Sequence, residues 1–250
     1  MTFPCAKNNY FDKHFFKISH KMRGGNNVKV NKINTFLFIL FTALFAIRCF
    51  APITNAYDFT YITPLAISYE SLASINDNNY ILPETYITKY NGITITLEKG
   101  VPITALNSLT AYIDITPNNL LLSNPHIYIS LRLISEIRSF PKNQSEETLG
   151  IAKEITTIGE NKNIIIIPSQ SLRLDVYFHE MFHCYDNYLG HISEKKEFSQ
   201  YVNSEGLTAS SNVEYFAVIG ACYLSSPQML ESVAPNSYKY IASLIENEPT

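Results

Sequence analysis

The chain predicts an α+β fold, a small mixed sheet followed by helices. Three observations carry this expectation. Short β-branched runs, with residues 93–98 and the four consecutive isoleucines at 164–167 the clearest, lie before Pro168. After Pro168 apolar residues take helical spacing, beginning with Val176, Phe178, Phe182 and Tyr185. No βαβ alternation is evident, which argues against a doubly wound sheet.

The first segment in chain order is a basic head. Residues 1–56 carry eight Lys and Arg against one acid, Asp12, for a net +7. The rest carries 11 basic and 21 acidic residues, a net −10. An acidic body repels phosphate, so no nucleic-acid partner is expected. The head leads into a twelve-residue apolar run at 36–47. That is short of the ~20 residues a membrane span needs. It fits the apolar core of a signal peptide, with Lys29 and Lys32 before it and Thr54-Asn55-Ala56 as small residues for cleavage. The expected organisation is a leader at 1–56, or a shorter one starting at Met22, and one domain at 57–250 beginning with Tyr57. The product would be secreted, extracellular and monomeric, with no stable membrane span after leader removal. An uncleaved anchor is the rival. Cys5 and Cys49 would leave with the leader, and Cys184 and Cys222 would remain as one disulfide or as two buried thiols.

Within the domain, residues 57–92 are rich in Tyr, Ile, Asn and Pro and show no clear period. Residues 93–98 alternate as a strand, ended by Lys99-Gly100. A helix is expected over 105–115, then a turn at Pro117-Asn118-Asn119. Ile127, Ile129, Leu131 and Leu133 alternate within 125–137, predicting a strand with a short helix as rival. Residues 140–147 read as a polar loop. Strands at 150–158 and 163–167 would join at Gly159-Glu160-Asn161, and Pro168 would stop the second. A helix at 174–189 has Gly190 as its C-cap. A polar stretch runs to Ser211, followed by helices at 213–224, 228–232 and 236–245.

The chemistry concentrates in His179-Glu180-Met181-Phe182-His183, an H-E-x-x-H pattern on a predicted helix. Residues i and i+4 share a helix face, so both imidazoles reach one cation, Zn²⁺ by preference. Glu180 lies ~100° around the helix from His179, within reach of a water at that cation, and is the expected general base. A catalytic zinc needs a third protein ligand. Leu189 stands where a metzincin would have His, and His191 lies beyond the expected helix end. Asp186, one turn past His183, is expected to orient a ligand from behind. Glu214 opens the next helix, but Ser211-Asn212-Val213-Glu214 is also a capping box. Spacing alone weighs ligand and cap equally.

The stretch His179-Glu180-x-x-His183-x-x-Asp186, then Glu214-Tyr215-Phe216-Ala217, then Ser226-Pro227 and Ala234-Pro235-Asn236-Ser237-Tyr238 resembles the anthrax lethal factor catalytic domain and the related Pro-Pro endopeptidases. Gly150-Ile151-Ala152 and the isoleucine strand look like that family's region before the helix. The similarity covers roughly residues 115–245. It implies a zincin-like fold, one Zn²⁺, a protein or peptide substrate, and Glu214 as third ligand with Tyr215 beside it. Three departures stand out. The family's Gly within the motif is Phe182, its oxyanion-assisting Tyr falls on Leu207, and the second Glu of its E-[FY]-F-A-E is Val218. Tyr201 and Tyr215 are the phenols nearby in sequence. The expectation is therefore a secreted, toxin-like zinc metalloendopeptidase with Glu180 as base. The alternatives are a zincin-like binding module without turnover and a metal-free domain with a chance motif.

Overall fold

A computed structural model describes residues 63–132, 149–157, 160–205 and 209–246. The expected leader, the Tyr57 start, the 140–147 loop, Gly159, Leu133 and Leu207 lie outside the described residues. Every described element lies in one compact unit within residues 57–250.

Six strands form one mixed sheet: β1 (Leu65–Ala66), β2 (Tyr86–Tyr90), β3 (Ile93–Leu97), β4 (His126–Ser130), β5 (Ile151–Thr157) and β6 (Glu160–Pro168). Their order across the sheet is β1-β2-β3-β4-β6-β5. The β2–β3 hairpin turns on Asn91 and Gly92, with φ of 46° and 83°. Both residues take the left-handed conformation that a two-residue Asn-Gly hairpin requires. That pair was the signal for β2 in a stretch that showed no period.

The β-branched runs pair in register. Ile95, Ile127, Ile165 and Ala152 form one row across the sheet, and Leu97, Ile129 and Ile167 form the next. The isoleucines and leucine of these rows are buried in the main core, and Ala152 packs against it. The alternate residues Tyr128, Ile164, Ile166 and Ile151 form a small cluster on the other face.

The pairing corrects one expectation. Helix α1 (Tyr69–Ala73) precedes β2, and β3 and β4 run parallel, connected by α2 (Ile103–Asp114) and α3 (Asn118–Leu121). A parallel pair needs such a crossover, and β1 and β2, with α1 between them, are parallel too, so two βαβ units exist among the described residues where no alternation was expected. The fold is nonetheless α+β, because helices dominate after β6: α4 (Leu174–Tyr188), α5 (Lys196–Ser204), α6 (Asn212–Ser225), α7 (Pro227–Val233) and α8 (Pro235–Glu246). Helix α5 and the 3₁₀ turn Ile192–Glu194 fall in the stretch read as polar. Phe198, fully buried, anchors α5 against Phe216 and Tyr240. The strand expected over 125–137 leaves the ladder after Ser130, and Leu131 is exposed. Among the described residues, no helix is long and apolar enough to cross a membrane.

Candidate metal centre

Helix α4 lies against the β5–β6 edge of the sheet. Asn163 on β6 ties it down, its Nδ2 donating to the Cys184 carbonyl at 3.3 Å while its Oδ1 accepts from Asn187 at 3.1 Å. Tyr177, Phe178, Met181, Phe182 and Cys184 fill the core, leaving the His179 and His183 side chains partly open. The two imidazoles meet as the helical spacing requires, Nε2 to Nε2 at 3.1 Å.

The third member comes from α6. Ser211 caps that helix, its Oγ accepting from the Glu214 amide at 3.1 Å. The Glu214 carboxylate turns instead to the histidines. Its Oε2 lies 3.4 Å from His179 Nε2 and its Oε1 lies 3.6 Å from His183 Nε2. The Ser211 half of the capping box forms, and the Glu214 carboxylate lies at the histidines. Among the described residues, these three form the one group of His, Cys, Asp or Glu whose ligand atoms gather this closely. A tetrahedral Zn²⁺ with bonds of ~2.0–2.1 Å separates its ligand atoms by ~3.3 Å. The two imidazole nitrogens lie near that separation at 3.1 Å, and the Glu214 carboxylate spans them, with Oε2 3.4 Å from His179 and Oε1 3.6 Å from His183. Two imidazoles and a half-exposed carboxylate also form a donor set that Zn²⁺ accepts.

The electrostatics of the group are those of a carboxylate set between two imidazoles. Burial opposes charge on His179, but the hydrogen bond and charge of Glu214, with Glu180 and Asp175, raise its pKa. Burial and the neighbouring His179 push His183 down to about 4. The hydrogen bond to His179 holds Glu214 below the usual carboxylate range, against the opposing effect of burial.

Glu180 is only 5 % exposed. It faces the start of β5, where a backbone hydrogen bond from Ala152 favours its ionised form. Burial outweighs this and pushes the carboxyl up to about 7. Gly150 makes the space: a Cβ there would lie 2.8 Å from Glu180 Oε1 and 2.9 Å from its Cγ. A cation at the neighbouring histidines would draw the pKa back down.

The remaining candidates lie elsewhere. Asp186 is fully buried, and both its oxygens accept from Ser193, from the amide at 2.9 Å and from Oγ at 2.6 Å. It secures the turn after α4 and reaches His183 only through space. His191 sits in that turn at φ 57°, with Nε2 4.0 Å from Glu154. Tyr215 points its hydroxyl at Ser237 Oγ, 2.9 Å away. Ser237 in turn donates to Glu205, so Tyr215 belongs to the junction between α6 and α8. Leu207 and the Tyr201 side chain lie outside the described residues. Cys184 and Cys222 are buried free thiols.

Sequence reasoning missed Gly220, which faces Phe182 across the α4–α6 contact. A lone glycine inside a helical pattern was its available signal. No protein-family model matches the chain, and no curated protein matches it either.

Proposed function

We propose that this chain is an exported zinc endopeptidase with a zincin-like fold, in which His179, His183 and Glu214 hold one Zn²⁺ and Glu180 is the general base. The observation that carries the reading is the convergence of three ligand groups from two separate helices: the imidazole nitrogens lie 3.1 Å apart, and the Glu214 carboxylate reaches His179 with Oε2 at 3.4 Å and His183 with Oε1 at 3.6 Å. Bound there, Zn²⁺ supplies Lewis acidity, lowering the pKa of water and polarising a scissile carbonyl.

The chain's own residues supply the rest. Glu180 takes a proton from the attacking water and returns it to the leaving amine. Ala152 and Gly150 hold that carboxylate against β5, the edge strand of the sheet. The resemblance to peptidases, together with a base set beside β5, favours a protein or peptide substrate.

A second reading, a zincin-like module that binds a partner without turnover, draws on Leu207 standing where the resembled family has its Tyr. One experiment separates them. The full chain is purified, its zinc is counted, and hydrolysis is measured across a library of extended, Pro-containing peptides. One zinc per chain with slow but measurable cleavage is expected. Zinc without cleavage above background leaves the binding module, and absence of zinc binding removes both readings.

A further inference from the structure

Phe182 stands between the two histidines in sequence, on the side of α4 that meets α6. Its ring is fully buried and packs edge-on against Phe216 at 5.7 Å between centroids. The closest approach is to Gly220. A Cβ at position 220 would lie 2.3 Å from both Cγ and Cδ1 of Phe182 and 2.5 Å from Cε1. Gly220 is therefore a socket that accepts the ring directly on the backbone of α6, and the same helix carries Glu214.

We infer that the Phe182–Gly220 contact is the positioning device that sets the distance between the two helices, and with it the placement of Glu214 at the histidines. The inference rests on the metal reading above. Magnitudes decide its importance. Apolar carbons pack at ~3.5–4.0 Å, so a methyl at 220 must open the contact by on the order of 1 Å. Metal ligands tolerate deviations of only about 0.2 Å. Interiors are close-packed, and a ring held by Phe216 and Tyr185 has little room to withdraw. The change should therefore be passed to the helix rather than absorbed by the ring. Neither residue touches the metal group, so both are positioning residues. Phe182 stands where the resembled family has Gly, and the socket shows how this chain accommodates the larger side chain.

The test measures Zn²⁺ affinity and the visible spectrum of bound Co²⁺ in the full chain, for wild type, Gly220→Ala, Phe182→Ala and the double variant. Gly220→Ala should weaken Zn²⁺ by about 10–100-fold, the range seen when groups supporting metal ligands are lost, and should alter the Co²⁺ spectrum. Adding Phe182→Ala removes the obstructing ring and should recover most of the affinity. A role confined to stability would lower Tm and leave the affinity of the folded protein and its Co²⁺ spectrum unchanged, which overturns the inference. Should Gly220→Ala fail to fold, the double variant decides: recovery of fold and Zn²⁺ together supports the inference, and recovery of fold without Zn²⁺ overturns it. A wild type that binds no Zn²⁺ removes the metal reading and the inference with it. A wild type that binds and an unchanged Gly220→Ala remove the inference alone.

Discussion

The sheet region and the helical region bury polar groups in opposite ways. Up to Ser171, the buried polar side chains among the described residues are hydroxyls: Thr88, Thr96, Thr110, Thr116, Ser123, Ser130 and Ser171. A hydroxyl is cheap to bury where one nearby carbonyl satisfies it, and Thr88 Oγ1, buried without a partner, is an exception. Thr110, Thr116 and Ser123 each donate to a backbone oxygen within their own helix or turn. The helical region buries two carboxylates, Glu180 and Asp186, on the same helix. They differ in turn. Asp186 has a donor for each oxygen, and Glu180 is pushed up to about 7 by burial. A buried charge without full compensation costs several kcal/mol, so its retention marks a functional group better than burial alone does.

That contrast can be broken most forcefully at Glu180. Glu180→Gln keeps shape and removes the base, so peptide hydrolysis should fall by about 10²–10⁴-fold with zinc content and fold unchanged. Equal rates in the two zinc-loaded proteins would remove Glu180 from catalysis.

The next effect separates two roles within one turn of α6. Glu214→Ala should lower zinc affinity steeply, because an incomplete coordination sphere remains. Ser211→Ala should cost about 1 kcal/mol of stability and leave zinc affinity unchanged. Full zinc in Glu214→Ala would make the carboxylate a bystander.

Asp186 provides the structural counterpart to Glu180. An Asn at 186 cannot accept from both Ser193 donors, so Asp186→Asn should cost about 1–3 kcal/mol by denaturant unfolding. Zinc affinity should stay within a few-fold. A large loss of zinc would return Asp186 to the orienting role expected from its spacing.

The smallest effect lies in the sheet. Burial, helped by the charge of Lys162, holds His126 down to about 4, from an ordinary value of 6.5. The folded chain favours neutral imidazole there. The stabilisation is complete above pH 6.5 and is lost as pH falls toward 4, because the unfolded chain takes up the proton first. Melting curves of wild type and His126→Gln across that window should converge on acidification. A gap independent of pH would show that His126 contributes packing alone.

Much of the secondary structure was legible, for local reasons. The isoleucine strand, the helix from 174 and its Gly190 terminus follow from period, β-branching and a left-handed glycine at φ 72°. Helix α5 was hidden because its stretch is mostly polar and one ring, Phe198, does most of its anchoring. The parallel β3–β4 pair was hidden because strand direction depends on the path of the crossover and leaves no mark in the strand itself.

The sequence by itself determined the pairing of His179 with His183, since a helix brings residues four apart onto one face whatever surrounds it. It also determined that Ser211 would cap α6, since a cap is satisfied within one turn. Tertiary structure decided which carboxylate joins the histidines, because Glu214 arrives on a different helix and its distance depends on how the two pack. It decided that Asp186 turns to Ser193. It also decided that Glu180 is buried under β5, where Gly150 leaves the space. Positions within one helix turn are set by backbone geometry, and positions between elements are set by the side chains that fill the gap between them.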